Sequence, residues 1–177
     1  MCCLRIFLLL TAALFATGCA SLGYYSQAVT GQLDILARTR SIPELLDDDP
    51  FTGNDPDVAS RPLAPAVKAR LATVLRVREF ATHTLALPDN GSYRVYANVE
   101  RAQVAWNVVA TPEFSLVPKE WCFPVAGCVP YRGYFSRESA QQFADTLEHD
   151  RLDVRIAGVA AYSTLGWFRD PVFSTQL

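Results

Sequence analysis

Charge is scarce and nearly balanced in this 177-residue chain, with 16 Lys and Arg against 18 Asp and Glu. No basic excess is there to neutralise phosphates, so composition lends no support to a nucleic-acid partner. Half of the residues are hydrophobic, which excludes a disordered chain, and nine glycines exclude a collagen-like one. Histidine is nearly missing: only His83 and His149 occur. There is no His-Glu-x-x-His pair, no Gly-x-Ser-x-Gly elbow, no phosphate-cradling glycine loop and no Asp-rich calcium loop. Read alone, these residues assemble no catalytic site. No stretch reaches 18 consecutive apolar residues, so no membrane-spanning helix is expected.

The features that are present begin at the N-terminus. Met1 to Arg5 is a short basic start, Ile6 to Phe15 an apolar run, and Ala16-Thr-Gly-Cys19 a small-residue cleavage region. As a helix the apolar run covers only ~15 Å, about half of a bilayer core. Residues 1–18 therefore read as a removable export signal. Ala-Thr-Gly-Cys resembles the bacterial lipobox, with Ala16 where Leu is commoner, so Cys19 is the candidate for lipidation. A plain secretory signal with a chance cysteine is the alternative. Acyl chains on Cys19 would anchor the domain to a membrane, each buried methylene adding ~0.8 kcal/mol. Ala20 and Ser21, with no Asp after the cysteine, favour transfer to the outer membrane of the bacterial envelope, facing the periplasm. Removal of the signal leaves a domain of roughly 150 residues, a size that buries about 70% of its unfolded surface.

Two of the five cysteines leave with the signal, and Cys122 and Cys128 remain beside Cys19. In an oxidising compartment this Cys-x5-Cys pair, with Pro124 and Gly127 between, reads as a disulfide. Two free buried thiols and two zinc ligands are the other readings. The second is short of partners, because zinc wants three or four ligands.

Tyr24 to Arg40 reads as a helix with Tyr25, Val29, Leu33 and Leu36 on its apolar face. A short second helix is expected at Ile42 to Leu46, with Pro43 in its first turn. Asp47 to Pro65 is an acidic, proline-punctuated loop. Residues 19–65 therefore form an anchor helix and loop, ahead of an α+β unit over 66–177. Ala66 to Leu87 is the strongest helix, with Val67, Leu71, Val74, Leu75, Arg78, Phe80, Ala81 and Leu85 along one stripe, stopped by Pro88-Asp-Asn-Gly91. Strand candidates are Gln103 to Ala110, Phe114 to Val117, Gly127 to Phe135 and Leu152 to Ala161. Between the last two, Ser136 caps a helix whose apolar face holds Ala140, Phe143, Ala144 and Leu147. The fold class is α+β: N-terminal helices, then a mixed sheet with a strand–helix–strand unit.

Longer strings go beyond pattern. They are Leu87-Pro-Asp-Asn-Gly-Ser-Tyr93, then Trp106 to Leu116 and Trp121-Cys-Phe-Pro-Val-Ala-Gly-Cys through Phe135, and Gly158-Val-Ala-Ala-Tyr-Ser-Thr-Leu-Gly-Trp-Phe-Arg-Asp-Pro171. With Gly18-Cys19-Ala-Ser-Leu-Gly-Tyr-Tyr25, they resemble a family of bacterial lipoproteins described as zinc aminopeptidases of the gluzincin kind. The resemblance spans nearly the whole mature chain apart from the acidic loop. Family members continue into a helix bearing His-Glu-Leu-Ala-His, whose histidines hold zinc and whose Glu activates the metal-bound water. This sequence stops at Leu177, ahead of that helix, and has Ala160 where the family pattern has Pro. The resemblance thus implies zinc for the full-length family, no cofactor in this chain, and an N-terminal part that is inactive alone.

In such peptidases a strand shortly before the zinc helix commonly pairs with extended substrate. Gly158 to Trp167 holds the corresponding place, so Ala161, Tyr162, Ser163, Thr164 and Gly166 are the candidate cleft residues. Tyr162 is the polar hand on the substrate and Gly166 the point of close approach. Core aromatics at Tyr162 and Trp167 are the competing reading. Arg132 either holds a substrate carboxylate or stacks on aromatic neighbours, and a rigid aromatic loop favours the second. Two functions are open. One is the N-terminal part of a membrane-anchored zinc aminopeptidase acting on periplasmic peptides. The other is a non-catalytic envelope lipoprotein that binds or scaffolds.

Overall fold

The computed structural model describes residues 22–47, 63–123 and 127–177. The export segment, Cys19 and most of the acidic loop lie outside the described residues. Helix α1 covers 22–37. It is followed by β1 (Thr39–Ser41), α2 (Ile42–Leu46), α3 (Pro65–His83), β2 (Val95–Ala97) and β3 (Ala105–Pro112). Then come β4 (Trp121–Phe123), β5 (Gly127–Val129), β6 (Arg132–Tyr134), α4 (Arg137–His149), β7 (Leu152–Val159), β8 (Val172–Phe173) and a 3-10 turn at Ser174–Gln176. The class is α+β.

The strands form two three-stranded sheets and one hairpin. In the first sheet β2 lies between β1, antiparallel to it, and β8, parallel to it. In the second, β3 is the centre, antiparallel to both β6 and β7. The unit β6–α4–β7 is thus a split strand–helix–strand, with β3 inserted between its strands. Ser136 accepts a hydrogen bond from the Ser139 N–H at 3.2 Å and starts α4. Ala140, Ala144 and Leu147 of α4 then bury themselves against Val108, Ala110 and Tyr134.

Strand alternation decides what lies on the other side. Trp106, Val108 and Ala110 of β3 face α4, so Ala105 and Asn107 face away from it. Their cross-strand partners Val159, Ala157 and Gly133 share that second face. It is a floor of small residues with one carboxamide.

Helix α1 lies over this second face, turned from the orientation its apolar spacing suggests. Tyr25, Val29 and Leu33 are exposed, while Ile35 is fully buried with Val104 and Phe173. Two polar and small residues explain the turn. Gln27 donates from Nε2 to the Gly133 carbonyl at 3.4 Å and accepts from the Phe135 N–H at 3.2 Å. Its amide thereby completes the edge of β6 as another strand would. Gly31 lets the helix axis come against the Phe135 ring, where a Cβ would sit 2.1 Å from a ring carbon. Helix α1 thereby shares a core with β2 and β8.

A third core joins Ile42 and Leu45 of α2 to Leu71 of α3, Tyr96 and Val172. Of the α3 stripe, only Leu71 is fully covered; Val67, Val74 and Leu75 are half-buried and Phe80 is exposed. Arg78 leaves the stripe to pair with Asp89 at 3.3 Å in the turn that ends the helix. Two strand candidates change. Phe114 to Val117 forms a turn and loop with Phe114 at a φ of 59° and its side chain wholly exposed, because no strand among the described residues pairs with it. Gly127 to Phe135 divides at Pro130, a residue without an N–H, so that β5 pairs with β4 and β6 with β3.

Candidate functional site

The second face of the central sheet encloses a cavity of about 530 Å³. Its floor is Ala105, Asn107, Gly133 and Val159, and its roof is Tyr24, Ala28 and Gln32 of α1. One end is Phe123, Val129 and Tyr131 of the β4–β5 hairpin and the turn after it. The other is Ala161, Tyr162, Ser163 and Leu165. The size falls in the range of small-molecule and cofactor sites. Among the described residues no Asp, Glu, Lys or Arg lines it. Beside it runs β7, the sheet's second edge, whose only partner among the described residues is β3.

In the hairpin Cys122 faces Cys128 directly, with Cα atoms 3.9 Å apart and the sulfurs bonded. Both cysteines are exposed, so the bond ties the end wall rather than filling a core.

Tyr162 is the central side chain of the far wall. Its ring stands edge-on to Phe135 at 5.8 Å and lies tilted over Phe173 at 5.5 Å. Its hydroxyl donates to Gln32 Oε1 at 2.7 Å. Burial, and then the negative charge of Asp170, push the phenol up to about 12 from its usual 10.0. The folded pKa lies above the unfolded one, so this phenol's stabilising contribution is complete below pH 10 and is lost as pH rises towards 12. A spectrophotometric titration of the native and Tyr162→Phe chains checks this. Below about pH 11 the two should ionise the same number of tyrosines; a native excess there would show that Tyr162 is wet.

The loop after β7 is shaped by a residue that no motif in the sequence singles out. Asp170 is buried, and its carboxylate accepts from Ser163 Oγ at 2.8 Å, the Thr164 N–H at 2.9 Å and Thr164 Oγ1 at 2.6 Å. Its own N–H donates to Ser92 Oγ at 3.2 Å, and its carbonyl accepts from the Tyr93 N–H. The one signal is position: an acidic residue locked before Pro171, beyond two hydroxyl residues. Of the five candidate cleft residues, Ala161, Tyr162 and Ser163 come together on the cavity wall. Thr164 turns to Asp170, and Gly166 stands in the turn beyond, at a φ of 84° with nothing within 4 Å of a Cβ. A φ of this kind is one that glycine adopts without strain, so its missing side chain suits the turn. Trp167 is 69% exposed and belongs to no core.

Arg132 lies on the α4 face, outside the cavity, with its guanidinium 4.0 Å from the Tyr24 ring centre and 4.5 Å from that of Phe143. It stacks on these aromatic neighbours. The donor set for zinc is equally clear. Cys122 and Cys128 are spent on each other. His83 ends α3, exposed and 3.1 Å from Glu79, and His149 ends α4, also exposed. Among the described residues no three His, Cys, Asp or Glu side chains converge as metal ligands. The described residues therefore do not fit the zinc that the resemblance implies.

A family model described as "Putative aminopeptidase" matches residues 23–177. No curated protein and no solved structure matches the chain.

Proposed function

The chain belongs to the "Putative aminopeptidase" family, and we propose that it forms the peptide-holding part of a membrane-anchored enzyme that trims N-terminal residues from peptides in the bacterial periplasm. One observation carries this reading: an uncharged cavity opens beside β7, a sheet edge with no second strand among the described residues. An extended peptide can add its backbone to such an edge while a side chain enters the adjoining pocket. The described residues assemble no water-activating metal group, so the hydrolytic step itself is not assigned to them. Anchoring falls to Cys19, and acyl chains there would hold the first turn of α1 close to the membrane surface.

Hydrogen exchange tests the peptide reading. A tripeptide amide with Leu at its centre should slow exchange along β7 and residues 160–166. Unchanged exchange there with a full panel of peptides overturns it. Labelled palmitate should enter the native chain and not Cys19→Ser. A second reading, a non-catalytic envelope lipoprotein that only binds, is favoured by the separation of His83 and His149 and by the Cys122–Cys128 bond, which leaves neither described cysteine as a ligand. It predicts the same peptide protection with no leucyl-amide hydrolysis after zinc is added to the protein in its longest natural form.

A further inference from the structure

We infer that the cavity over the central sheet is a selectivity pocket for one neutral, apolar side chain, of Leu or Phe kind. The inference rests on the peptide reading above for the nature of the ligand, and on the cavity for its class.

Three observations point the same way. First, the floor is built to leave room. Ala105 and Gly133 present almost no side chain, where the opposite face of the central strand carries Trp106 and Val108 packed against a helix. Space on one face of a sheet, beside close packing on the other, marks a place kept for a ligand. Second, no charged side chain among the described residues lines the cavity. A Lys or Glu side chain entering would lose water and meet no counter-charge, whereas an apolar one gains by leaving water. Third, the floor and the roof hold polar atoms suited to main-chain amides. The Asn107 carboxamide forms no hydrogen bond with any described residue, and the Gln32 carboxamide has only the bond its Oε1 accepts from Tyr162. Carboxamides offer a donor and an acceptor without charge, the complement of a peptide unit.

The test uses the full chain and four tripeptide amides, Ala-X-Ala with X as Leu, Phe, Lys or Glu, followed by calorimetry. The Leu and Phe peptides should bind at least tenfold more tightly than the Lys and Glu peptides. Ala28→Phe, filling the cavity from α1, should remove at least tenfold of the Leu and Phe affinity and leave the weak Lys binding unmoved. Asn107→Asp is nearly isosteric and adds a charge at the floor; it should raise Lys binding and lower Glu binding, a change that a purely structural Asn107 would not produce. Equal binding of all four peptides, unmoved by either variant, overturns the inference and leaves the peptide reading standing. If no peptide binds, but toluene binds the native chain and not Ala28→Phe, the apolar pocket stands and the peptide reading falls. If neither peptides nor toluene bind, both fall.

Discussion

Replacing Asp170 by Ala should lower the stability of the chain by about 3 kcal/mol or more, seen as a fall of roughly 6–12 °C in melting temperature. The size reflects the donors left behind. The carboxylate accepts from Ser163, from the Thr164 N–H and from the Thr164 hydroxyl, and Asp170 itself is only 6% exposed. Hydrogen bonds to a charged group contribute about 1.5–3 kcal/mol each, and deleting the acceptor leaves three donors without their partner. Thr164→Val removes one donor and should cost about 1 kcal/mol. Asp170→Asn is the sharper variant. It keeps the shape, removes the charge, and so should let the Tyr162 phenol ionise at lower pH, because that charge is one cause of its raised pKa. Asp170 lines no part of the cavity, so its effect on peptide affinity acts through the 161–165 wall. An Asp170→Ala chain melting within about 1 °C of native, with Tyr162 unmoved in Asp170→Asn, would end the view that this carboxylate positions the wall.

Only its place before Pro171 marks Asp170 in the sequence, whereas other parts of the fold announce themselves. Helix α4 was legible because its cap, its period and its burial agree: Ser136, Ala140, Ala144 and Leu147 all act as their types suggest. Local signals also placed α2, with Pro43 in its first turn. The split of the sheet was not legible, since the pairing of β3 with both β6 and β7 is a contact between distant segments. Helix α1 misled for a physical reason. Its largest apolar residues recur at helical spacing, yet its docking is decided by Gln27 completing a strand edge and by Gly31 admitting an aromatic ring. Neither contributes to an apolar stripe. The cavity escaped for a related reason, because it is made of what is small or missing: alternation along β3 was readable, but not that one face would be left to Ala105 and Gly133. Tyr162, in contrast, was singled out for its neighbourhood in the chain, and it lies on the cavity wall while also packing against Phe135 and Phe173.

Two glycines of the same helix should respond to alanine with opposite signs. At Gly23 a Cβ would meet nothing within 4 Å, so Gly23→Ala should stabilise α1 by about 0.5–1 kcal/mol through helix propensity alone. At Gly31 the same gain is available, but the new Cβ would stand 2.1 and 2.2 Å from two carbons of the Phe135 ring. That ring cannot simply swing away, because its other side meets Tyr162 edge-on at 5.8 Å and its backbone N–H is held by Gln27. Overpacking of this kind costs about 1–3 kcal/mol and here has to exceed the propensity gain, so Gly31→Ala should destabilise by about 1–2 kcal/mol net. The loss has a place as well as a size. Displacing Phe135 moves the roof of the cavity away from its floor and draws Tyr162 from Gln32, so exchange of the α1 amides should quicken and peptide affinity should fall together. Denaturant melts of the two variants, read beside exchange rates over 22–37, decide the matter. Equal and favourable shifts from both substitutions would mean that α1 does not dock through Gly31, and would remove the roof on which the cavity depends.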